Sequence, residues 1–308
     1  MHKARLVCAI ALAAAGSLCL AACGGSKQPT SPSTGGGGGG GGSQTPPANA
    51  LPVIDSFTVQ GSRAPQEPAN FADVGETIAV SAKAHDDDTP AAQLEYQWSA
   101  TVGTFSGSGA SVNWTAPSTA STPLDVTITL TLVDHYGFAG QAPTFTQSVS
   151  GAAFLSLHDS VKEVGALARQ FLLDFSDSTV PVATVMRNFD PTCTAETEDV
   201  TFNRQHLRIT SYDIGQPTVV IPFGNAFCTA INQADHARTQ HGDACSGTPS
   251  HWVSTLLDNN TVQVVDGTDW ITGFYKPALK AWKLCDSQFT GTCKGCSVAG
   301  ASALKYFR

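Results

Sequence analysis

The sequence predicts an all-β two-sheet sandwich followed by an α+β domain with helices packed on a curved antiparallel sheet. Three observations predict it. From Val53 to about Ser150, short stretches alternate apolar and polar residues between turn signals. From Ser160 to Phe189, apolar residues recur at helical spacing. Beyond Cys193 the period returns to two. The boundaries read from the chain are 1–22 for a leader, 23–50 for a tether, 51–150 for the sandwich, 151–290 for the α+β domain and 291–308 for a tail.

The leader begins with His2, Lys3 and Arg5, continues as an apolar run from Leu6 to Leu20, and ends in small residues. That is the order of a secretory signal. The run is too short for a comfortable membrane span, which needs about 20 apolar residues. Leu20-Ala21-Ala22-Cys23 resembles a bacterial lipobox, a resemblance that implies lipidation at Cys23. Gly24 in place of Asp implies transfer to the outer membrane. The expected location is therefore the bacterial cell envelope, with the chain held to the membrane by its lipid.

Gly24 to Ala50 contains the unbroken glycine run Gly35 to Gly42 and a single charge, Lys27. Such a segment cannot bury enough apolar surface to offset its ordering entropy, so a flexible tether is expected. Its mean span is roughly 30 Å, from about 5–6 Å times the square root of its length. The chain is acidic, with 25 Asp and Glu against 17 Lys and Arg, and no basic cluster interrupts it. No nucleic-acid partner is expected.

In the first domain, Glu76 to Ala82 alternates with Ile78 and Val80 on one face, and Leu94, Tyr96 and Trp98 share a side. Asp125 to Val133 is the clearest strand, with Val126, Ile128, Leu130 and Leu132 facing one way. His85-Asp86-Asp87-Asp88-Thr89-Pro90 and Ser106 to Gly109 supply turns. Tyr96-Gln97-Trp98-Ser99, Gly103-Thr104-Phe105, Val112 to Pro117 and Thr127 to Asp134 together resemble the polycystic-kidney-disease (PKD) type of immunoglobulin-like domain. The resemblance implies an immunoglobulin-like sandwich, Trp98 in the core and Asp134 in a loop after a late strand. It also implies a spacer, or a contact surface for proteins and sugars. The three aspartates supply only part of the six to eight oxygens calcium requires, so they read as a solvated turn. Trp98 and Trp114 read as packing residues rather than sugar platforms.

In the second domain, Ser160 and Glu163 fit a capping box. Val161, Val164, Leu167, Ala168, Phe171, Leu172 and Phe175 then form one apolar stripe. A second helix is expected to begin at Thr179-Val180-Pro181 and to end at Asp190-Pro191, with Val182, Val185, Met186 and Phe189 inward. Strands are expected near Leu207 to Tyr212, Val219 to Phe223, Trp252 to Leu257, Thr261 to Val265, Asp269 to Tyr275 and Ala278 to Cys285, with Asp258-Asn259-Asn260 as a hairpin turn. This order is similar to the nuclear transport factor 2-like superfamily, a helix-packed cone. That resemblance implies an internal pocket for a small apolar ligand and no transferable catalytic residue.

Six cysteines remain beyond Cys23: Cys193, Cys228, Cys245, Cys285, Cys293 and Cys296. An even number in an exported chain reads as disulfides, with fifteen possible pairings for six. The pairing favoured here is Cys228 with Cys245, Cys193 with Cys285 and Cys293 with Cys296. Cys293-Lys294-Gly295-Cys296 has redox spacing but no helix behind it to lower a thiol pKa. His236, His241 and His251, with Asp235 and Asp243, form the His-rich stretch, without the spacing of a zinc-protease helix. Asp190, His206, Tyr212 and Asp213 are the nearest approach to acid–base chemistry, although Tyr212 and Asp213 face opposite sides of a regular strand. Nucleophile-elbow and phosphate-loop motifs are missing. The reading is a non-catalytic envelope lipoprotein for display, adhesion or binding, without cofactor or metal. Its partners are the membrane, a protein or polysaccharide surface, or a small apolar ligand in the second domain, where isomerase- or hydrolase-type chemistry in the same pocket is the remaining alternative.

Overall fold

Alternation in Leu124–Tyr136, strand β7, buries Val126, Ile128, Leu130, Leu132 and Asp134. The computed structural model describes residues 45–63, 66–221, 223–224 and 242–296. The expected signal, Cys23 and most of the expected tether lie outside the described residues. Two four-stranded sheets form the first half. One orders β1 (Val53–Gln60), β3 (Thr77–His85), β6 (Ser111–Thr115) and β5 (Thr104–Ser106) as β1-β3-β6-β5. The other orders β2 (Phe71–Asp73), β8 (Phe145–His158), β7 and β4 (Glu95–Ala100) as β2-β8-β7-β4. Ile78, Val80, Trp114, Val126, Ile128, Leu155 and Leu157 fill the space between them. Asp134 lies inside β7, paired with Gln147, rather than in a following loop.

β8 runs through residues 150 and 151 to His158 and is followed almost at once by α1 (Ser160–Ser176). The cap is displaced from expectation. Asp159 accepts from the Lys162 N–H at 3.2 Å, which frees the Ser160 hydroxyl for another partner. The second helix shrinks to one turn, α2 (Val182–Val185), followed by a 3₁₀ turn over Met186–Asn188. A further helix, α3 (Thr194–His206), stands where the sequence offered no apolar stripe. Its first residues follow Cys193, which is bonded to Cys285 with Cα atoms 5.2 Å apart.

The expected α+β domain is not what forms. The molecule is mostly β, 51% strand against 18% helix, with three sheets and few helices. The third sheet is built from β11 (Ala244–Leu256), β12 (Val262–Lys276) and β13 (Ala281–Lys294), each 13 to 15 residues long. β9 (Leu207–Ile214) and β10 (Thr218–Val220) both pair with β11 and flank it end to end, separated by Gly215-Gln216-Pro217. The two strands expected at 261–265 and 269–275 are one, continuous through Asp266, Gly267 and Thr268. Gly267 faces Gly291 across the β12–β13 ladder, and a Cβ on either would meet the Phe289 ring within 2.6 Å, so only glycine lets that ring lie flat there. Trp252, Val265, Ile271, Leu284 and Phe289 pack beneath Phe171, Leu172 and Phe175 of α1. The cavity bordering this core, lined by Phe175, Asn203, Leu207 and Ile209 among others, holds about 10 Å³. That is water-sized, far below the roughly 300 Å³ of an organic ligand site. Among the described residues no helix is long and apolar enough to cross a membrane.

Candidate functional site

On β8, Leu155 and Leu157 point into the sandwich, so Ser156 and His158 point the other way, toward Tyr275 and Trp282 of the third sheet. His158 is fully buried. Its Nδ1 lies 2.8 Å from Glu163 Oε2, its Nε2 2.8 Å from Ser156 Oγ and 3.2 Å from Tyr275 Oη. Glu163 accepts only, which places a ring proton on Nδ1. The Phe71 ring stacks on the imidazole at 5.1 Å and 8°.

Beside it lies a second polar cluster. Asp73 Oδ1 accepts from the Ser160 N–H at 2.9 Å and hydroxyl at 2.6 Å, while Trp282 Nε1 donates to Ser160 Oγ at 3.2 Å. Arg63 bonds Asp73 at 2.6 Å and Glu67 at 3.0 Å, and Glu76 sits 3.5 Å away. Its guanidinium lies 4.8 Å above the Phe223 ring. A side chain at Gly61 would collide with the Glu67 carboxylate, so glycine admits the carboxylate here.

The electrostatics follow from the burial. Glu76 is pushed up to about 7 by burial and by a hydrogen bond with Glu67, against the pull of Arg63 and the Asp73 N–H. Burial also opposes ionisation of Glu163, but the bonds from His158, Thr122 and the Asp159 N–H hold its carboxyl below the usual range. Burial lowers and the three acids raise the Arg63 guanidinium, with a net rise. Burial pushes the Tyr275 phenol up.

Ser156, His158 and Glu163 thus have the nucleophile–base–orienter spacing of an acyl-transfer triad. Among the described residues, the three are closed in. Ser156 is 4% exposed and lies near the end of β8, paired to Asp125 on one side and Phe71 on the other. A surface groove of about 450 Å³ runs along α1 past Lys162, Arg169 and Gln216, and none of the three residues lines it. What the cluster does chemically is satisfy buried polar groups and tie β8 to the third sheet.

The residues singled out from the sequence fall elsewhere. Asp190 pairs with Lys276 at 2.6 Å, and hydrogen bonds from Lys276 and Thr192 hold its carboxyl at about 2. His206 Nδ1 bonds the Phe202 carbonyl at 2.8 Å, and Tyr212 and Asp213 are exposed on β9. They form no common site. His251 pairs with Asp266 at the surface, whereas Asp243 accepts from the Gly224 and Tyr275 N–H groups. Asp235, His236, His241 and Cys228 lie outside the described residues. Cys245 is disulfide-bonded, and Cys293 is joined to Cys296 with Cα atoms 5.6 Å apart. Among the described residues, no three His, Cys, Asp or Glu side chains are gathered to hold a metal. Trp114 is fully buried and Trp98 partly, each donating to a backbone carbonyl.

No protein family, curated protein or solved structure matches this chain.

The seam residues Arg63, Asp73, Ser156, His158 and Tyr275 were not picked out by sequence reasoning. One signal was present: Ser156 and His158 are two apart in a strand and so share a face. Their partners come from segments more than a hundred residues away in the case of Tyr275.

Proposed function

We propose that this chain is a lipid-anchored protein of a bacterial envelope, in the outer membrane. It holds a rigid β-rich body off the bilayer for non-catalytic display or binding of a protein or polysaccharide. The observation that carries this reading is Leu20-Ala21-Ala22-Cys23, followed by an almost uncharged glycine-rich stretch before the first strand. Acyl chains contribute about 0.8 kcal/mol per buried CH₂, so two or more on Cys23 hold a protein stably on a membrane. The seam supports the non-catalytic part, because Ser156 and His158 of its triad-like arrangement are buried. The PKD-like motifs support a spacer or contact role.

Expression in a Gram-negative host with labelled palmitate tests the anchor. The full-length chain is expected to take up label and fractionate with outer membranes, and Cys23→Ala to remain unlabelled and soluble in the periplasm. Label retained in Cys23→Ala, or an unlabelled soluble wild type, refutes the anchor. A pull-down with the exported chain from surface polysaccharide and envelope-protein fractions tests the binding role.

A further inference from the structure

The groove along α1 is lined by side chains of one charge sign. It holds about 450 Å³, within the roughly 300–1,000 Å³ of ligand sites, and opens between α1 and the Gly215-Gln216-Pro217 link that joins β9 to β10. Lys162 and Arg169 both line it and no Asp or Glu does, although the chain carries 25 acids against 17 basic residues. Seven positions on one helix separate the two cations, which puts them on the same face, roughly 10 Å apart along its axis. Neither is neutralised. Lys162 is exposed, and nothing among the described residues pairs with its ammonium. Arg169 donates through Nε and Nη2 to the Gly215 and Ile214 carbonyls at 3.3 Å, bonds that fix the guanidinium without cancelling its charge. The acids of α1 and its cap are already engaged: Asp159 accepts from the Lys162 N–H, Glu163 pairs with His158 and Asp174 with Arg187.

A positive strip without counter-charges, on a protein acidic as a whole, attracts an anion, and the rest of the lining narrows which kind. Gln170 and Gln216 present amides, which donate and accept and so suit hydroxyls. Val161, 54% exposed, and Pro217 add small apolar surfaces that suit the C–H faces of sugar rings. A peptide strand added to the sheet is less well served, because it binds through main-chain hydrogen bonds. The carbonyls just before Gln216, those of Ile214 and Gly215, are already taken by Arg169. Building on the binding role argued above, we propose that this groove holds an acidic polysaccharide. Its uronate carboxylates lie on Lys162 and Arg169, and its hydroxyls on Gln170 and Gln216.

The test is calorimetric titration of the full-length chain in detergent with polygalacturonate, and with neutral dextran and polyglutamate as comparisons. Polygalacturonate is expected to bind, more weakly as NaCl is raised, and dextran not to bind. Lys162→Gln should melt with the wild type, since its ammonium holds no partner in the fold, and should bind roughly tenfold more weakly, as befits the loss of one charge-assisted hydrogen bond. Lys83→Gln, which removes an exposed cation from β3 of the sandwich, should bind as the wild type does. No binding of polygalacturonate, equal binding of dextran or polyglutamate, or an equal loss in Lys83→Gln overturns the proposal. If the pull-down from envelope fractions then still captures a protein or another polysaccharide, the groove's ligand is wrong and the binding role stands. If the pull-down is empty as well, the binding role falls with it.

Discussion

Replacing Glu76 by Gln is expected to change how stability depends on pH, in a direction opposite to that of most carboxylates. In the folded protein the Glu76 carboxyl is pushed up to about 7 from an ordinary 4.5. The folded state therefore binds this proton more tightly than the unfolded state does. Its stabilising contribution is complete below pH 4.5 and is lost as the pH climbs through 7. At about 1.36 kcal/mol per unit the displacement corresponds to at most about 3 kcal/mol, and to roughly half that once solvent screening at a partly exposed group is allowed for. Gln at this position keeps a carbonyl oxygen for the Asp73 N–H, which Glu76 Oε2 now accepts at 2.8 Å, and cannot ionise. Urea unfolding followed by tryptophan fluorescence between pH 4.5 and 8.5 isolates the effect as the difference between the two proteins. Glu76→Gln should gain about 1.5–3 kcal/mol relative to wild type across that range. A difference that stays flat, or falls with pH, refutes the assignment of a buried, proton-sharing carboxyl beside Arg63.

Three further outcomes are expected. A fluorophosphonate that traps activated serines should leave Ser156 unmodified in the folded protein, as read by peptide mass spectrometry; labelling there refutes the closed seam. Replacing Cys193 and Cys285 together by Ser opens a loop of 92 residues and should lower the unfolding free energy by about 2–5 kcal/mol in denaturant titrations, with no loss meaning that the bond is absent from the purified protein. Trp252→Ala empties the centre of the third-sheet core and strips the Ser176 hydroxyl of its 2.7 Å donor, at a cost of about 3–5 kcal/mol; a change under 1 kcal/mol refutes that packing.

Strands announced by strict alternation were legible. β7 and β3 could be read because every second residue is apolar, and the Asp258 to Asn260 turn because Asn260 tolerates its positive φ of 57°. α3 was illegible because, Val200 apart, its buried residues are polar. Glu196 accepts from the Ser287 N–H and hydroxyl, and Asp199 and Asn203 are buried beside it, so no apolar stripe marks the helix. β12 was read as two strands because Asp266-Gly267-Thr268 resembles a turn, yet Gly267 is there to admit the Phe289 ring. The seam between β8 and the third sheet poses a further obstacle. It depends on residues that are ordinary alone, such as Asp73 and Ser156, and that find partners only when distant strands bring them together.

The length of the third sheet explains why an α+β domain did not form. At about 3.3 Å per residue, β12 extends roughly 50 Å, whereas α1, at 1.5 Å per residue, covers about 26 Å of it. α1 therefore shields the part of the inner face that carries Trp252, Val265 and Leu284, and the sheet continues past it. The other end carries Ala244, Tyr275 and Trp282, which α1 reaches only with its first turns, through Val164 and Leu167. Phe71 of the sandwich covers them, with its ring 4.7 Å from Tyr275 and 5.1 Å from Phe223. Burying aromatic surface against a sheet whose neighbours are polar brings Ser156, His158, Asp73 and Ser160 indoors with it. Each then needs a partner, and Tyr275, Glu163, Arg63 and Trp282 supply them. A triad-like geometry thus arises as the polar consequence of an apolar contact between two β structures, which accounts both for its good hydrogen bonds and for its lack of an entrance.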